Sequence, residues 1–356
     1  MTIPVVWSPE TRRHEPMREV WVGVPTEGTE VPARVDRIRE ALADHESVDA
    51  LPHDDDVLIR VHDAAYVEHL RTIHAAWTNG PYDDLVGQDR VVPYVFPTPA
   101  MTQGMPPTHA AATHGRAGEY CYDTMTLVGA GTWEAARAAV DCALTAVDLV
   151  TGSMLSGEVE ALAAYALCRP PGHHVTRQGY GGSCYLNNAA VAAQALLDAG
   201  HGRVAVVDLD AHHGNGTQAI FWDRSDVLYA SAHVDPAAGW FPHFFGHAHE
   251  TGGGDGEGAT LNLPLAEGTR DRGWLDAVAV LAERAGGVDA LVVSLGVDAA
   301  ADDPESPLLV TAEGYAAAGR LLGSLGLPSV IVQEGGYHLP SLGGLVAGYL
   351  DGHARP

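Results

Sequence analysis

Apolar positions change their period repeatedly from residue 132 to the C-terminus. Over 132–150, Trp133, Ala136, Val140, Leu144, Val147 and Val150 recur at three- and four-residue intervals, the spacing of one helical face. Thr132 is placed to cap that helix, Glu134 favours its first turn, and Gly152 closes it. Short unbroken apolar runs then appear at 161–168, 203–208, 290–295 and 329–333, with another strand near 227–230. Runs of this length and composition suit strands buried on both faces. Helical patterns separate them at 188–198, 274–285 and 312–325, and a last helix starts at Leu342. Strands alternating with helices predict an α/β fold: a parallel sheet with helices on both faces.

The first third is less regular. Residues 1–60 alternate short apolar segments with polar breaks, with a helix from Pro32 to near Leu42, and 62–73 again have helical spacing. Residues 78–118 are irregular and carry Pro81, Pro93, Pro97, Pro99, Pro106 and Pro107 among several glycines. A loop this long inside a compact domain is usually functional or an interaction element. His109 and His114 lie in it and receive no role. There is no repeat and no linker, so we expect one domain over 1–356 with a Pro-rich insertion at about 78–118.

Charge narrows the partners. Acidic residues outnumber basic ones 46 to 20, a field that repels nucleic acid and favours cationic ligands, although the same surface also serves solubility alone. Cys121, Cys142, Cys168 and Cys184 show no metal-type spacing and read as reduced thiols. The N-terminus lacks a basic stretch followed by an apolar one, and no apolar run approaches the roughly 20 residues of a membrane span. The expectation is a cytoplasmic protein without membrane contact.

The chemistry sits where strands stop. Residues 203–216, RVAVVDLDAHHGNG, pass from an apolar strand into Asp208, Asp210 and His212 at alternate positions, one face of an extended chain. The other runs end in Arg169-Pro-Pro-Gly172-His173-His174, in Gly296-Val-Asp298 and in Gln333-Glu334-Gly-Gly-Tyr337. One polar strand tip commonly only caps the next helix; four tips in one sheet make a site. Asp210, His212 and Asp298 form an oxygen, nitrogen, oxygen set that suits a zinc-like divalent ion with positions left open. His173 and His174 suit proton transfer, and Tyr337 can donate its phenol proton to an oxyanion. Gly172, Gly181 and Gly182 let backbone approach closely. The set reads as metal-assisted hydrolysis of an amide.

RPPGHH, GGSCYLNNAAVAA, DLDAHHGNGTQ, SLGVDAAADDP and EGGY, in this order, resemble the zinc-dependent histone deacetylase superfamily. GTWEAA, HVDPAAGWFPHFFG and the Pro-rich passage are similar to its bacterial acetylpolyamine amidohydrolase branch. The resemblance implies an arginase-like three-layer α/β/α sandwich around a mostly parallel sheet. It implies one zinc ion per chain on Asp210, His212 and Asp298, tandem histidines His173 and His174, and Tyr337 polarising the carbonyl. Asp208 would bond His173 and Asn215 would stand behind His174. A structural potassium ion would lie on Asp208, Asp210, His212 and Ser231, and a second on main chain near Phe221, Arg224 and Val227. Residues 93–107 occupy the place of the loop that builds a dimer, so a homodimer is expected.

On the substrate side, the resemblance makes Phe241 one wall of a tunnel with Gly182 beside it, Asp123 a rim aspartate and Arg34 the foot of an acetate cavity. The opposite wall is usually aromatic; here the position is Ser183, leaving Tyr180 or a loop residue to fill the gap. Glu305 stands where a gatekeeper glutamate would attract a secondary ammonium, or is an exposed loop acid. The expected activity is deacetylation of acetylated polyamines, small cationic substrates, with release of acetate and free amine. The alternative is a broader deacylase acting on acetyl-lysine or other small acylated amines. A non-catalytic binding protein would lack part of the set, and none is lacking. A binuclear ureohydrolase needs further acids where Leu209, Ala211 and Ala299 stand.

Overall fold

The computed structural model describes residues 2–16, 18–80, 89–106, 108–153 and 161–356. Its strands are β1 (Val5–Trp7), β2 (Arg18–Trp21), β3 (Val24–Glu27), β4 (Ser47–Asp49), β5 (Ala163–Ala166), β6 (Val204–Asp208), β7 (Val227–Val234), β8 (Thr260–Leu265), β9 (Ala290–Leu295) and β10 (Ser329–Gln333). Eight form one sheet in the order β4-β1-β5-β10-β9-β6-β7-β8, every pair parallel, while β2 and β3 make a separate antiparallel hairpin. From β6 the chain steps outward through β7 and β8, then returns to the other side of β6 as β9. That reversal opens a crevice at the carboxyl ends of β6 and β9, where open α/β sheets place their ligands.

Alternation along each strand builds two cores. Val204 and Val206 of β6 face the helices Ala64–Thr78, Thr132–Thr151 and Asn188–Asp198. Ala205 and Val207 face Ala33–Ala41, Asp271–Ala285, Ala312–Gly323 and Leu339–Ala354. Every residue of β6, β7, β9 and β10 is buried, as covered parallel strands require.

Several elements depart from the expectations. The helix N-cap is Gly131, not Thr132; the Thr132 hydroxyl turns back to accept from Gly129 N at 2.9 Å and to bond His14 Nδ1 at 2.9 Å. The strand expected near 227–230 runs on to Val234. β8 was not anticipated because Pro264 breaks its donor row, which an edge strand tolerates. Within 78–118 the described parts hold two short helical turns, Pro99–Thr102 and Thr113–Arg116, and a bridge from Val91 to Val128. Pro81 and Pro107 lie outside the described residues. Among the described residues no helix is long and apolar enough to cross a membrane.

A half-buried ion cluster fastens the segment before the helix Asp56–Val61 to Thr132–Thr151. His53 Nδ1 lies 3.2 Å from Asp141 and Nε2 lies 3.0 Å from Asp148. Burial opposes the charged ring, but bonds to both aspartates outweigh it and raise His53 to about 9. A raised histidine contributes stability that is full below the unfolded value near 6.5 and is lost as pH rises through about 9. Denaturant unfolding should therefore show stability falling between those limits. His53→Gln should be less stable at pH 6 and show a flatter decline.

Candidate active site

The tips of β5, β10, β9 and β6 are neighbours in the sheet, so the residues that follow them converge. The ladder ends at Asp208, and two aspartate side chains then fold the chain. Asp208 Oδ1 accepts from Asp210 N at 3.1 Å, and Asp210 Oδ1 accepts from His212 N at 2.9 Å. This corrects the extended-chain reading: Asp208 turns to His173, while Asp210 and His212 turn to Asp298 across the crevice. Alternate spacing fails here because the strand has already stopped.

His212 Nδ1 sits 2.9 Å from Asp298 Oδ2 and 3.2 Å from Asp210 Oδ1, and ligand atoms of the three residues lie within 4.8 Å of one another. Asp298 Oδ1 accepts from Ala211 N at 2.8 Å and Asp210 Oδ2 from Gly335 N at 2.8 Å, so the adjacent tips hold both carboxylates. Burial and the neighbouring Asp210 push Asp298 up to about 7. Among the described residues neither carboxylate has an arginine partner. Two buried carboxylates and an imidazole converging on one point form a donor set that fits a divalent metal ion. His173, Cys184 and Glu334 form a second such group. It fits less well: burial pushes the Cys184 thiol far up, and Glu334 Oε2 already accepts from Gly172 N (2.7 Å) and His173 N (3.2 Å).

The tandem histidines carry opposite charge preferences. Burial disfavours a charged His173, yet Asp210 and Asp208 outweigh it and raise the ring to about 10, with Asp208 Oδ2 3.1 Å from Nδ1. Burial, then the neighbouring His173 and His212 rings, hold His174 well below 6.5. His174 Nδ1 lies 2.8 Å from Asn215 Oδ1, an acceptor that places the proton on Nδ1 and leaves Nε2 free to accept. The ring centres are 4.0 Å apart, close enough that a charge on one ring disfavours a charge on the other.

Tyr337 is fixed from two sides. Asp303 Oδ2 accepts from Tyr337 N at 2.6 Å and His338 N at 3.1 Å, and the Arg34 guanidinium lies 4.9 Å from the Tyr337 ring centre. Burial holds the phenol protonated. Arg34 is fully buried: it donates to Gly336 O at 2.7 Å, to Glu334 O and to Glu30 Oε1 at 2.7 Å. Glu30 also meets Arg169 at 2.9 Å, and Arg169 reaches the carbonyls of Thr11, His14 and Glu30. The sequence reading gave Asp303, Glu334 and Glu30 no role, although Glu334 stands in the strand tip 333–337 and Asp303 precedes Pro304, a position apt for a turn.

At the mouth, Phe241 meets the edge of His174 with ring centres 4.7 Å apart. A Cβ at Gly182 (φ +58°) would fall 2.4 Å from His174 and 2.9 Å from Phe241, so only glycine fits. Asp123 is half-buried, and its carboxylate is spent on Gly182 N (2.6 Å), Thr126 N (2.8 Å), Met125 N (3.0 Å) and the Thr126 hydroxyl (3.1 Å). It braces the loops under the rim. Tyr180 does not fill the gap left by Ser183; it is buried against Tyr66 and Tyr185. Glu305 is half-buried and accepts from the Thr29 hydroxyl at 3.0 Å. On the hairpin, Glu19 is pushed up to about 7 by burial and by Glu30, Glu305 and Asp123, a further acid that sequence reading missed. Asp208 pairs with Ser231 across β6 and β7. Phe221, Arg224 and Val227 share the turn from the helix Asn215–Phe221 into β7, with Arg224 N donating to Phe221 O at 3.1 Å.

Fold and site together are those of a deacetylase. The histone deacetylase domain model matches residues 28–352, and the chain belongs to that family. It is 38% identical over 355 residues to the acetylpolyamine amidohydrolase of Mycoplana ramosa, covering 98% of this chain and 99% of that one. It is 43% identical over 284 residues to the acetylpolyamine amidohydrolase of Burkholderia pseudomallei, covering 79% and 78%. The crystal structure of the acetylpolyamine aminohydrolase from Burkholderia pseudomallei superposes with a TM-score of 0.90 at 36% identity, covering 99% of each chain.

Glu30→Ala would leave the Arg34 and Arg169 guanidiniums buried without their shared carboxylate. Denaturant unfolding should show a loss of about 3–5 kcal/mol, the usual cost of breaking a buried ion pair. Replacing the exposed Glu10, which pairs with Arg13, should change little.

Proposed function

We propose that the protein hydrolyses acetylated polyamines to acetate and the free amine, with one Zn²⁺ per chain held by Asp210, His212 and Asp298. The observation that carries the chemistry is geometric: His173 Nδ1 lies 3.1 Å from Asp208 and His174 Nδ1 lies 2.8 Å from Asn215, beside three residues whose ligand atoms lie within 4.8 Å of one another. A zinc ion in that set would supply Lewis acidity to the acetyl carbonyl and to a water molecule. His174 Nε2 takes the proton of the attacking water and returns it to the departing amine nitrogen, while Asn215 keeps its ring oriented. His173, held charged by Asp208, adds positive potential where the oxyanion develops. Tyr337 donates its phenol proton to that oxyanion from a backbone pinned by Asp303.

A cationic substrate is supported by the excess of 46 acids over 20 bases and by Glu305 and Glu19. A potassium ion beside the zinc site is proposed on Asp208, Asp210, His212 and Ser231, and a second at the Phe221, Arg224 and Val227 turn. The exposed Tyr94, Met101 and Met105 of the Pro-rich passage support a homodimer. Four buried cysteines without a disulfide suit the reducing cytoplasm.

Steady-state kcat/KM of the zinc-loaded protein on an acetylated polyamine and an acetyl-lysine peptide tests the substrate. Wild type should prefer the polyamine, and Glu305→Leu should lose that preference mainly through KM. Preference of both proteins for the peptide would refute the polyamine reading. Tyr337→Phe should keep one metal ion per chain by elemental analysis while kcat falls by about 10²–10³, the effect of removing one oxyanion donor. Unchanged turnover would overturn the mechanism.

A further inference from the structure

A ring from another loop faces Phe241. The Tyr122 ring lies 6.5 Å from Phe241, centre to centre, with the planes only 13° apart. Its hydroxyl donates to His174 O at 2.7 Å, and its backbone N donates to Tyr180 O at 3.1 Å. A Cβ at Gly181 would fall 2.1 Å from the ring, so Tyr122 rests on bare backbone. The two loops are laced beneath it by Gly182 N to Asp123 Oδ2 (2.6 Å) and Ser183 N to the Thr126 hydroxyl (2.8 Å). These bonds anchor the Tyr122 backbone and hydroxyl, while its 40% exposure leaves room for the ring to move outward.

We propose that Tyr122 is the second wall of the substrate channel, supplied from a different loop in place of the ring missing at Ser183, and that it restricts the channel to unbranched chains. The inference rests on the deacetylase reading of the adjoining site. An aliphatic carbon contacts an aromatic face at about 3.5–4.0 Å, so one methylene chain between two parallel rings needs about 7–8 Å. With ring centres 6.5 Å apart the planes are separated by at most that distance, so a single polymethylene chain needs an outward swing of the Tyr122 ring and a branched chain needs a larger one. The slot opens on His174, which Phe241 touches with its ring, so the chain enters with its amide toward the proton-transfer group. Tyr122 is a specificity-determining residue that takes no part in the bond-breaking step.

The test compares monoacetylated 1,4-diaminobutane with the same compound carrying two methyl groups on the carbon next to the one bonded to the amide nitrogen. Wild type should favour the linear compound by at least about tenfold in kcat/KM, the scale on which a pocket resolves added methylenes. In Tyr122→Ala the linear substrate should lose about tenfold, mainly in KM, while the branched one holds or gains. Tyr122→Phe, which keeps the ring and loses the hydroxyl, should retain the preference. Tyr122→Leu gives a second reading of the wall with better filling of the gap, and should relax the preference partway. An active Tyr122→Ala or Tyr122→Leu enzyme whose linear-to-branched ratio stays at the wild-type value would overturn the proposal while leaving the deacetylase reading intact. Wild type inert toward both compounds and toward acetyl-lysine peptides would overturn both.

Discussion

Burying Asp208, Asp210 and Asp298 side by side carries a desolvation cost that only counter-charge and hydrogen bonds can offset. Most features of the site answer that constraint. Backbone N–H groups of Asp210, Ala211, His212 and Gly335 point at the three carboxylates. His173 is drawn into its charged form beside Asp208 and Asp210, and its charge in turn helps keep His174 neutral. The division between two adjacent and chemically identical side chains follows from their partners, a carboxylate of Asp208 for His173 and the amide of Asn215 for His174, not from any difference in the residues themselves.

A second buried charge system supports this one from below. Glu30 joins Arg34 to Arg169, and the two arginines reach the carbonyls of Glu334, Gly336, Thr11 and His14. The N-terminal segment, which contributes only short strands to the sheet, is thereby tied to the turn that carries Tyr337. Rigidity at an active site is supplied here by partners that do not touch the reacting atoms.

The core of the fold was legible because covered parallel strands need unbroken apolar runs, and those at 203–208, 290–295 and 329–333 have no competing pattern. The site was legible because polar residues abruptly end such runs. What stayed hidden depends on distance along the chain. Tyr122 meets Phe241 across more than a hundred residues, Glu30 meets Arg169 likewise, and no local period marks either pair. β1 is three residues long and β8 contains Pro264, so neither presents a normal strand signal. The alternate spacing of Asp208, Asp210 and His212 pointed to the right residues for the wrong reason, since turns and not pleat direct them.

The reversal of strand order between β6 and β9 also bears on how the protein acquires its activity. Asp210 and His212 follow one strand and Asp298 follows its spatial neighbour, with β7, β8 and the helix Asp271–Ala285 threaded between them in the chain. No local segment contains all three proposed ligands, so under the zinc proposal a growing polypeptide would have no finished site until β9 has emerged and docked beside β6. Ion capture at that site would be coupled to one of the long-range pairings of folding, the kind that forms slowly because its loop entropy must be overcome first. Metal binding at the proposed site would then report the β6–β9 pairing and not the formation of any single motif.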